Sequence, residues 1–308
     1  MATRKEVKNR IASVKNINKI TRAMEMVAAA RLRRAEQRIA ALRPYAQAIR
    51  KLTRRAAEEA GDVPRVPVLE EREQVGKVGI LLVTGDRGLA GAFNTNIIRE
   101  GLRLKREFES DGAEVSFAVV GRRGVSALTF RKEPLLDTYT GFTDRPGFAN
   151  AREIGEALTS YYVDEDLDRA ELVYNRYVSP MTQYVRRQTL LPVQQAEVFG
   201  EGVEELAPEE PEGDEQLVEA HKRALWIYEP EPEELLAQLI PEYVNVSLYR
   251  ALLESAASEH GARMTAMRNA AENAESMMDD LTLEMNRVRQ AEITQEILEV
   301  VAGAEALG

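Results

Sequence analysis

MTAMRNAAENAESMMDDLTLEMNRV, residues 264–288, is the stretch whose reading decides the fold. Its apolar and small residues Met264, Met267, Ala271, Ala274, Met278, Leu281, Met285 and Val288 recur at steps of 3, 4, 3, 4, 3, 4 and 3. That spacing predicts a coiled-coil seam, narrower than the apolar face of a globular helix. A looser stripe lies at the other end of the chain: Val7, Ile11 and Val14, then Met24, Ala28, Leu32, Ala35, Ile39 and Leu42. The long stretch between them has short β-rich runs punctuated by Gly and Pro. Two long terminal helices around an α/β middle read as a shaft with a foot, a form suited to mechanical coupling more than to a pocket.

Thr3 and Glu6 have the spacing of a capping box, which starts the first helix almost at the terminus. It is expected to run to about Glu59, bent at Pro44, before Gly61-Asp62 and the prolines Pro64 and Pro67 end it. At ~1.5 Å per residue such a helix is on the order of 80 Å long. Strands are expected over 77–84, 114–121, 172–178, 188–193 and 225–228, and helices over 94–109, 122–130 and 149–162. Residues 138–147 read as loop. This alternation predicts a Rossmann-like, mainly parallel sheet. Pro232-Glu-Glu suits the start of a short helix ending near Pro241, where the last long helix begins. The expected domains are 1–60, the N-terminal coiled-coil helix; 74–230, the α/β foot; and 231–308, the helical segment completing an antiparallel two-helix coiled coil.

Composition excludes several functions. The chain has no cysteine, which removes disulfides, thiolate metal sites and thiol switching. Its two histidines, His221 and His260, are far apart in sequence, and His260 reads as an exposed helix residue. No window offers the ~18 apolar residues of a membrane span, and MATRKEVKNR lacks the apolar core of a signal peptide. A cytosolic bacterial protein is the expectation. Residues 1–55 carry sixteen Lys/Arg against Glu6, Glu25 and Glu36, a balance of +13 inside a chain of net charge −10. A basic helix on an acidic protein fits an acidic partner: nucleic acid, anionic lipid or a carboxylate-lined protein. Tyr45 is the only aromatic among those residues and no DNA-binding motif is present, so protein contact is favoured. Met24 and Met26, two apart, cannot both face a seam, so at least one is presented outward. The acidic, proline-broken stretch 200–215 reads as a solvated loop.

The turn Gly85-Asp-Arg-Gly88-Leu-Ala-Gly91 lies between an expected strand and helix, where α/β proteins bind phosphate. Its G-x-x-G-x-x-G spacing matches neither the dinucleotide fingerprint nor the P-loop with its Lys-Ser/Thr. A structural turn is favoured over a phosphate cradle. No Ser/His/Asp set, nucleophile or metal-ligand cluster emerges, so no catalytic, cofactor or metal residue is assigned.

RIASVKNINKITRAMEMVAAARLRRA near the N-terminus, LVTGDRGLAGAFN at 82–94, SEHGARMTAMRNAAENA and LTLEMNRVRQAEITQEILEVVAGAEAL together resemble the gamma subunit of F-type ATP synthases. The blocks lie in the family order and involve both ends and the middle. The chain departs from the usual pattern at Asn16-Ile17-Asn18, Gly85, Ala90 and Met285.

The resemblance implies a rotor. The two helices form an antiparallel coiled coil inside a ring of alpha and beta subunits, with the foot against the epsilon subunit and the membrane c-ring. Proton-driven rotation then cycles the beta subunits, at the cytoplasmic face of a bacterial membrane, with no bond chemistry in this subunit. By the same resemblance Met24, Arg31, Arg33, Arg34, Arg263, Arg289, Gln290 and Thr294 contact the beta subunits or affect coupling, and Tyr228 and Glu229 approach the c-ring. A nucleotide-binding α/β protein with coiled-coil arms is the alternative, and a nucleic-acid-binding coiled coil a third reading.

Overall fold

The computed structural model describes residues 3–60, 66–72, 74–194 and 232–305, with the side chains of 55, 57–60, 232–233 and 303–305 left out. The chain divides into two compact units: one of Met1–Arg31, Leu89–Gly91 and His260–Gly308, the other of Leu32–Gly88 and Ala92–Glu259. Helices α1 (Arg4–Ala60) and α5 (Pro232–Glu305) each run through both.

The first unit is the coiled coil. Helix α1 opens on the expected capping box: the Thr3 amide donates to the Glu6 carboxylate at 2.9 Å, and the Glu6 amide to Thr3 Oγ1 at 3.4 Å. Val7, Ile11 and Val14 pack with Ala274, Met278, Leu281 and Met285. The helices are antiparallel, since rising α1 numbers meet falling α5 numbers: Asn18 reaches Ala271 and Glu25 reaches Arg268. Burial at Met267, Ala271, Ala274 and Leu281 follows the 3-4 period. Here helical propensity is decided by the seam, because each helix hides its stripe only against the other.

The second unit holds a five-stranded sheet: β1 (Lys77–Val83), β2 (Glu114–Val120), β3 (Leu135–Tyr139), β4 (Arg169–Tyr177) and β5 (Gln183–Leu191). Its spatial order is β3-β2-β1-β4-β5, with every pairing parallel except β4–β5. Helices α2 (Phe93–Ser110), α3 (Arg122–Phe130) and α4 (Phe148–Val163) supply the crossovers. Strand β1 is central and buried from Val78 to Val83, which is why it reads as an unbroken apolar run. The core adds Tyr162, Leu172 and Leu191 from the α/β elements and Leu236, Ile240, Val244 and Leu248 from α5.

Three expectations are corrected. The stretch read as loop begins with the end of an edge strand, β3, whose five residues include Asp137 and are too few to show alternation. Strand β5 starts five residues before its expected beginning, because Tyr184, Arg186 and Arg187 on a charged sheet edge disguise it. No helix ends at Pro241. Helix α5 runs through that proline, carried by the buried Leu236-Ile240-Val244 stripe on one face. The strand expected over 225–228 and the acidic stretch 200–215 lie outside the described residues.

Candidate functional site

Two places compete for function: the crevice at the carboxyl ends of the strands, and the outer surface of the long helices. In an open α/β sheet, ligands bind outside the strand ends where the strand order reverses, which here is between β1 and β4. That crevice is filled by the chain itself. Ser255 Oγ of α5 donates to the Val83 carbonyl at 3.4 Å, and Ser258 Oγ to the Asn175 carbonyl at 3.1 Å. A Cβ built on Gly85 would lie 2.7 Å from the Glu259 carboxyl carbon, so the side chain of Glu259 on α5 lies directly against the turn and a larger residue at 85 would have to displace its carboxylate.

The start of α3, the other natural anion site, is also taken. Asp86 Oδ1 accepts the Arg122 amide at 3.1 Å, while Oδ2 accepts the amides of Gly141 at 2.9 Å and Thr143 at 3.3 Å. Thr143 Oγ1 also donates to Oδ2, at 3.1 Å. One carboxylate thus supplies the negative charge that a phosphate would bring to those amides. Gly121, at φ +95°, turns the chain into α3 with its Cα so close to Thr84 that a Cβ would lie 2.4 Å from the Thr84 carbonyl oxygen. Thr84 Oγ1 in turn accepts the Gly124 amide at 3.0 Å. The Gly85-Asp-Arg-Gly88 part of the turn is therefore a structural clasp, and the reading as a nucleotide-binding protein loses its site. Among the described residues no group of His, Cys, Asp or Glu is arranged to hold a metal ion.

The helix surface is different. On α1, Ile17, Ile20 and Val27 are 52%, 58% and 54% exposed, and with half-buried Met24 they form a second 3-4-3 stripe outside the seam. Met26 points outward at 68% exposure, as the two-residue spacing required. On α5 the seam fades at Val288, yet the helix continues to Glu305 with Ile293, Ile297, Leu298, Val300 and Val301 all largely exposed. Contiguous apolar surface of this kind marks an interaction site.

The remaining residues singled out from sequence fall into three groups. Arg31 is half-buried, while Arg33 and Arg34 are exposed on the same helix. Arg289, Gln290 and Thr294 are all exposed and share about one turn and a half of α5, with Thr294 Oγ1 donating to the Gln290 carbonyl at 2.8 Å. Arg263 belongs with neither group, being only 7% exposed with its guanidinium 3.4 Å from His260 Nδ1. The exposed reading of His260 is wrong, since it is 1% exposed. Around it α5 is buried on every face from Ala251 to Gly261, so no polar face exists there. Tyr228 and Glu229 lie outside the described residues.

Sequence reasoning also missed Asn18 and Thr21, which with half-buried Glu25 carry the seam from Val14 to Ala28, so Met24, expected in the seam, lies beside it. Asn18 and Thr21 are both 8% exposed at seam positions. The Asn18 amide donates to the Ala271 carbonyl at 2.8 Å, and Thr21 Oγ1 bonds back to the Ile17 and Asn18 carbonyls at 3.1 and 3.0 Å. Continuing the 3-4 step through polar residues would have found them. Bracketing Ala271 on α5 are cross-helix ion pairs, Arg22 with Glu275 and Arg268 with Glu25, the latter at 2.9 Å.

An antiparallel coiled coil and a mainly parallel α/β domain whose own helix closes the ligand crevice define a coiled-coil α/β protein whose helix surfaces, not a pocket, are available for function. Comparison with known proteins gives the family. The ATP synthase family model matches residues 3–307. The ATP synthase gamma chain of Rubrobacter xylanophilus is 42% identical over 308 residues, covering 100% of this chain and 99% of its own length. That of Thermobifida fusca is 40% identical over 306 residues, covering 97% and 95%. Among solved structures, the central stalk/c-ring of Tetrahymena thermophila mitochondrial ATP synthase matches with a TM-score of 0.56 at 25% identity, covering 82% of this chain and 99% of that one. A chain of the Euglena gracilis mitochondrial ATP synthase shares the fold at 19% identity with a TM-score of 0.64, covering 99% and 94%. The chain belongs to the ATP synthase gamma chain family, and so is a central-stalk subunit of that complex.

Proposed function

We propose that the chain is the axle of a proton-driven ATP synthase and performs no bond chemistry itself. Its coiled coil turns inside a ring of alternating alpha and beta subunits. The α/β unit sits against the epsilon subunit and the membrane c-ring, at the cytoplasmic face of a bacterial membrane. No described helix is long and apolar enough to cross a membrane, which suits attachment through the complex. Rotation of an asymmetric axle changes which side chains each beta subunit meets, and so drives it between nucleotide-binding states. Met24, Arg31, Arg33 and Arg34 on α1 and Arg289, Gln290 and Thr294 on α5 are the residues we assign to the ring. Arg289 offers a planar fork to a carboxylate, and Gln290 both a donor and an acceptor. Arg263 we assign to coupling through the interior of the shaft, beside His260, instead of to direct contact. Tyr228 and Glu229 are assigned to the c-ring.

The observation that carries this reading is the end of α5, where the seam fades near Val288 and Ile293, Ile297, Leu298, Val300 and Val301 are exposed. Exposed apolar surface on this scale marks a site of protein contact. Purification of the tagged chain from detergent-solubilised membranes tests the reading. Alpha, beta, epsilon and c subunits are expected to accompany it. The isolated chain is expected to bind no ATP by equilibrium dialysis, and stoichiometric micromolar binding would overturn the non-catalytic assignment.

A further inference from the structure

Helix surface that a fold buries is ordinarily apolar, yet α5 buries five polar residues between 245 and 259: Asn245, Glu254, Ser255, Ser258 and Glu259. Burial alone is served better by alanine or leucine, which carry no polar group to desolvate. What the polar groups add is direction. Apolar contact is non-directional, whereas a hydrogen bond weakens steeply once its angle is turned.

Directional contacts hold α5 from two sides within the second unit. On one side lie the strand ends: Ser255 Oγ and Ser258 Oγ donate to the carbonyls of Val83, the last residue of β1, and of Asn175, near the end of β4. On the other lies α4. A Cβ built on Gly155 would fall 2.2 Å from Asn245 Oδ1 and 3.3 Å from Leu248 Cδ1, so the α4 backbone presses directly on the Asn245 amide. One turn along, the Tyr249 and Phe148 rings meet edge to face with centroids 5.6 Å apart. Asn245 Nδ2 also donates to Glu242 Oε2 at 3.3 Å, and Glu242 Oε1 accepts the Tyr45 hydroxyl of α1 at 3.0 Å. At ~100° per residue, the Asn245–Tyr249 pair and the Ser255–Ser258 pair point about 130° apart around α5.

We propose that the crevice serves as a socket for the axle: the strand ends and α4 lock α5 against turning about its own axis, so that torque on the α/β unit passes into the helix. Attachment is supplied by the apolar stripe Leu236, Ile240, Val244 and Leu248. Ser255, Ser258 and Asn245 are positioning residues that fix the angle of the attached helix, and satisfied buried polar contacts of this kind rigidify what they join. The proposal rests on the rotor reading and adds to it the place where torque enters the shaft.

The chain has no cysteine, so Met181→Cys, on the exposed tip of the β4–β5 hairpin, takes a gold rod without background labelling. In complexes held on glass by the alpha–beta ring without nucleotide, the spread of rod angles reports torsional stiffness. Adding Ser255→Ala with Ser258→Ala removes one side of the grip and is expected to raise the angular variance about two-fold, with unloaded ATP turnover unchanged. Asn245→Leu, acting from the α4 side, is expected to widen it as well. Leu252→Val takes packing from the same segment and leaves every directional contact in place. It is expected to lower the urea midpoint and not to move the variance. A variance unchanged in either the serine or the asparagine variant, or widened as much by Leu252→Val, would overturn the socket and leave the rotor reading standing. A rod on the Met181→Cys parent that does not turn when ATP is added would overturn the rotor reading itself.

Discussion

Replacing Asn18 separates what stabilises the shaft from what aligns it. The side chain is 8% exposed in the seam and donates one bond, 2.8 Å long, to the Ala271 carbonyl. That carbonyl keeps its own helical bond, so losing the amide orphans nothing on α5. Asn18→Leu forfeits a neutral hydrogen bond of net value about 0.5–1.5 kcal/mol and gains the burial of a leucine, about 1.5–3 kcal/mol. The expected result is a coil more stable by about 1 kcal/mol, slowing native-state hydrogen exchange of amides 267–281 roughly five-fold. Asn18→Ala loses the same bond and leaves a void, so its exchange is expected to quicken, for a cost of about 1–2 kcal/mol. If both variants speed exchange alike, the hydrogen bond outweighs burial in this seam and the reasoning fails. Alignment is a separate matter, held also by Arg22–Glu275 and Glu25–Arg268. A slide of one heptad sets Arg22 against Arg268 in one direction and Glu25 against Glu275 in the other, so either slip brings like charges together. The distance between spin labels at Met26→Cys and Met277→Cys is therefore expected to stay unchanged in the leucine variant.

Arg289→Ala with Gln290→Ala is expected to permit assembly yet slow ATP turnover ten- to a hundred-fold, the equivalent of about 1.5–3 kcal/mol of charged hydrogen bonding, as read by coupled assay and proton pumping. Full-speed coupled turnover would show that these residues only ride on the shaft. Asp86→Ala removes the acceptor of three backbone amides and one hydroxyl, and is expected to cost about 3 kcal/mol or more in urea unfolding without changing contacts of the coiled coil. Glu100 is held below its ordinary carboxylate value of 4.5 by Arg103 first and Arg187 second, and Glu107 by Arg187. Because both folded values are depressed, this contribution is complete above about pH 4.5 and fades as the pH falls through the folded values. Arg187→Gln should therefore lower stability at neutral pH and flatten its loss below pH 4.5 in acid titrations followed by circular dichroism; an unchanged slope would contradict the assignment.

The parts of this molecule that were legible in its sequence are those where one physical demand acts alone. The 264–288 seam was readable because only a coiled coil requires a sustained 3.5-residue period, and the capping box because Thr3 and Glu6 serve only each other. Central strand β1 was readable because both its faces are buried. Where demands overlap, the sequence misled. Strand β3 is short and carries Asp137 on a sheet edge, and β5 conceals its start behind Arg186 and Arg187. At Pro241 the local cost of a proline points to a helix boundary, but burial of Leu236, Ile240 and Val244 carries α5 through it. His260 looked exposed because its neighbours Glu259 and Arg263 are charged, yet all three are buried. The candidate surfaces were less legible than the fold. Periodicity identifies what a helix hides, while Ile17, Ile20, Val27 and the 293–301 stretch are known to face outward only once the seam is placed.

The central claim is that this chain turns. A bead or gold rod fixed to an exposed position of the α/β unit, in a complex whose alpha–beta ring is held on glass, reports that motion directly. With ATP supplied, the account predicts unidirectional, stepwise rotation, with one step for each catalytic site of the ring. Arg289→Ala with Gln290→Ala should lengthen the dwells without changing the step. ATP hydrolysis at normal rate by a complex in which this chain stays stationary would contradict the account.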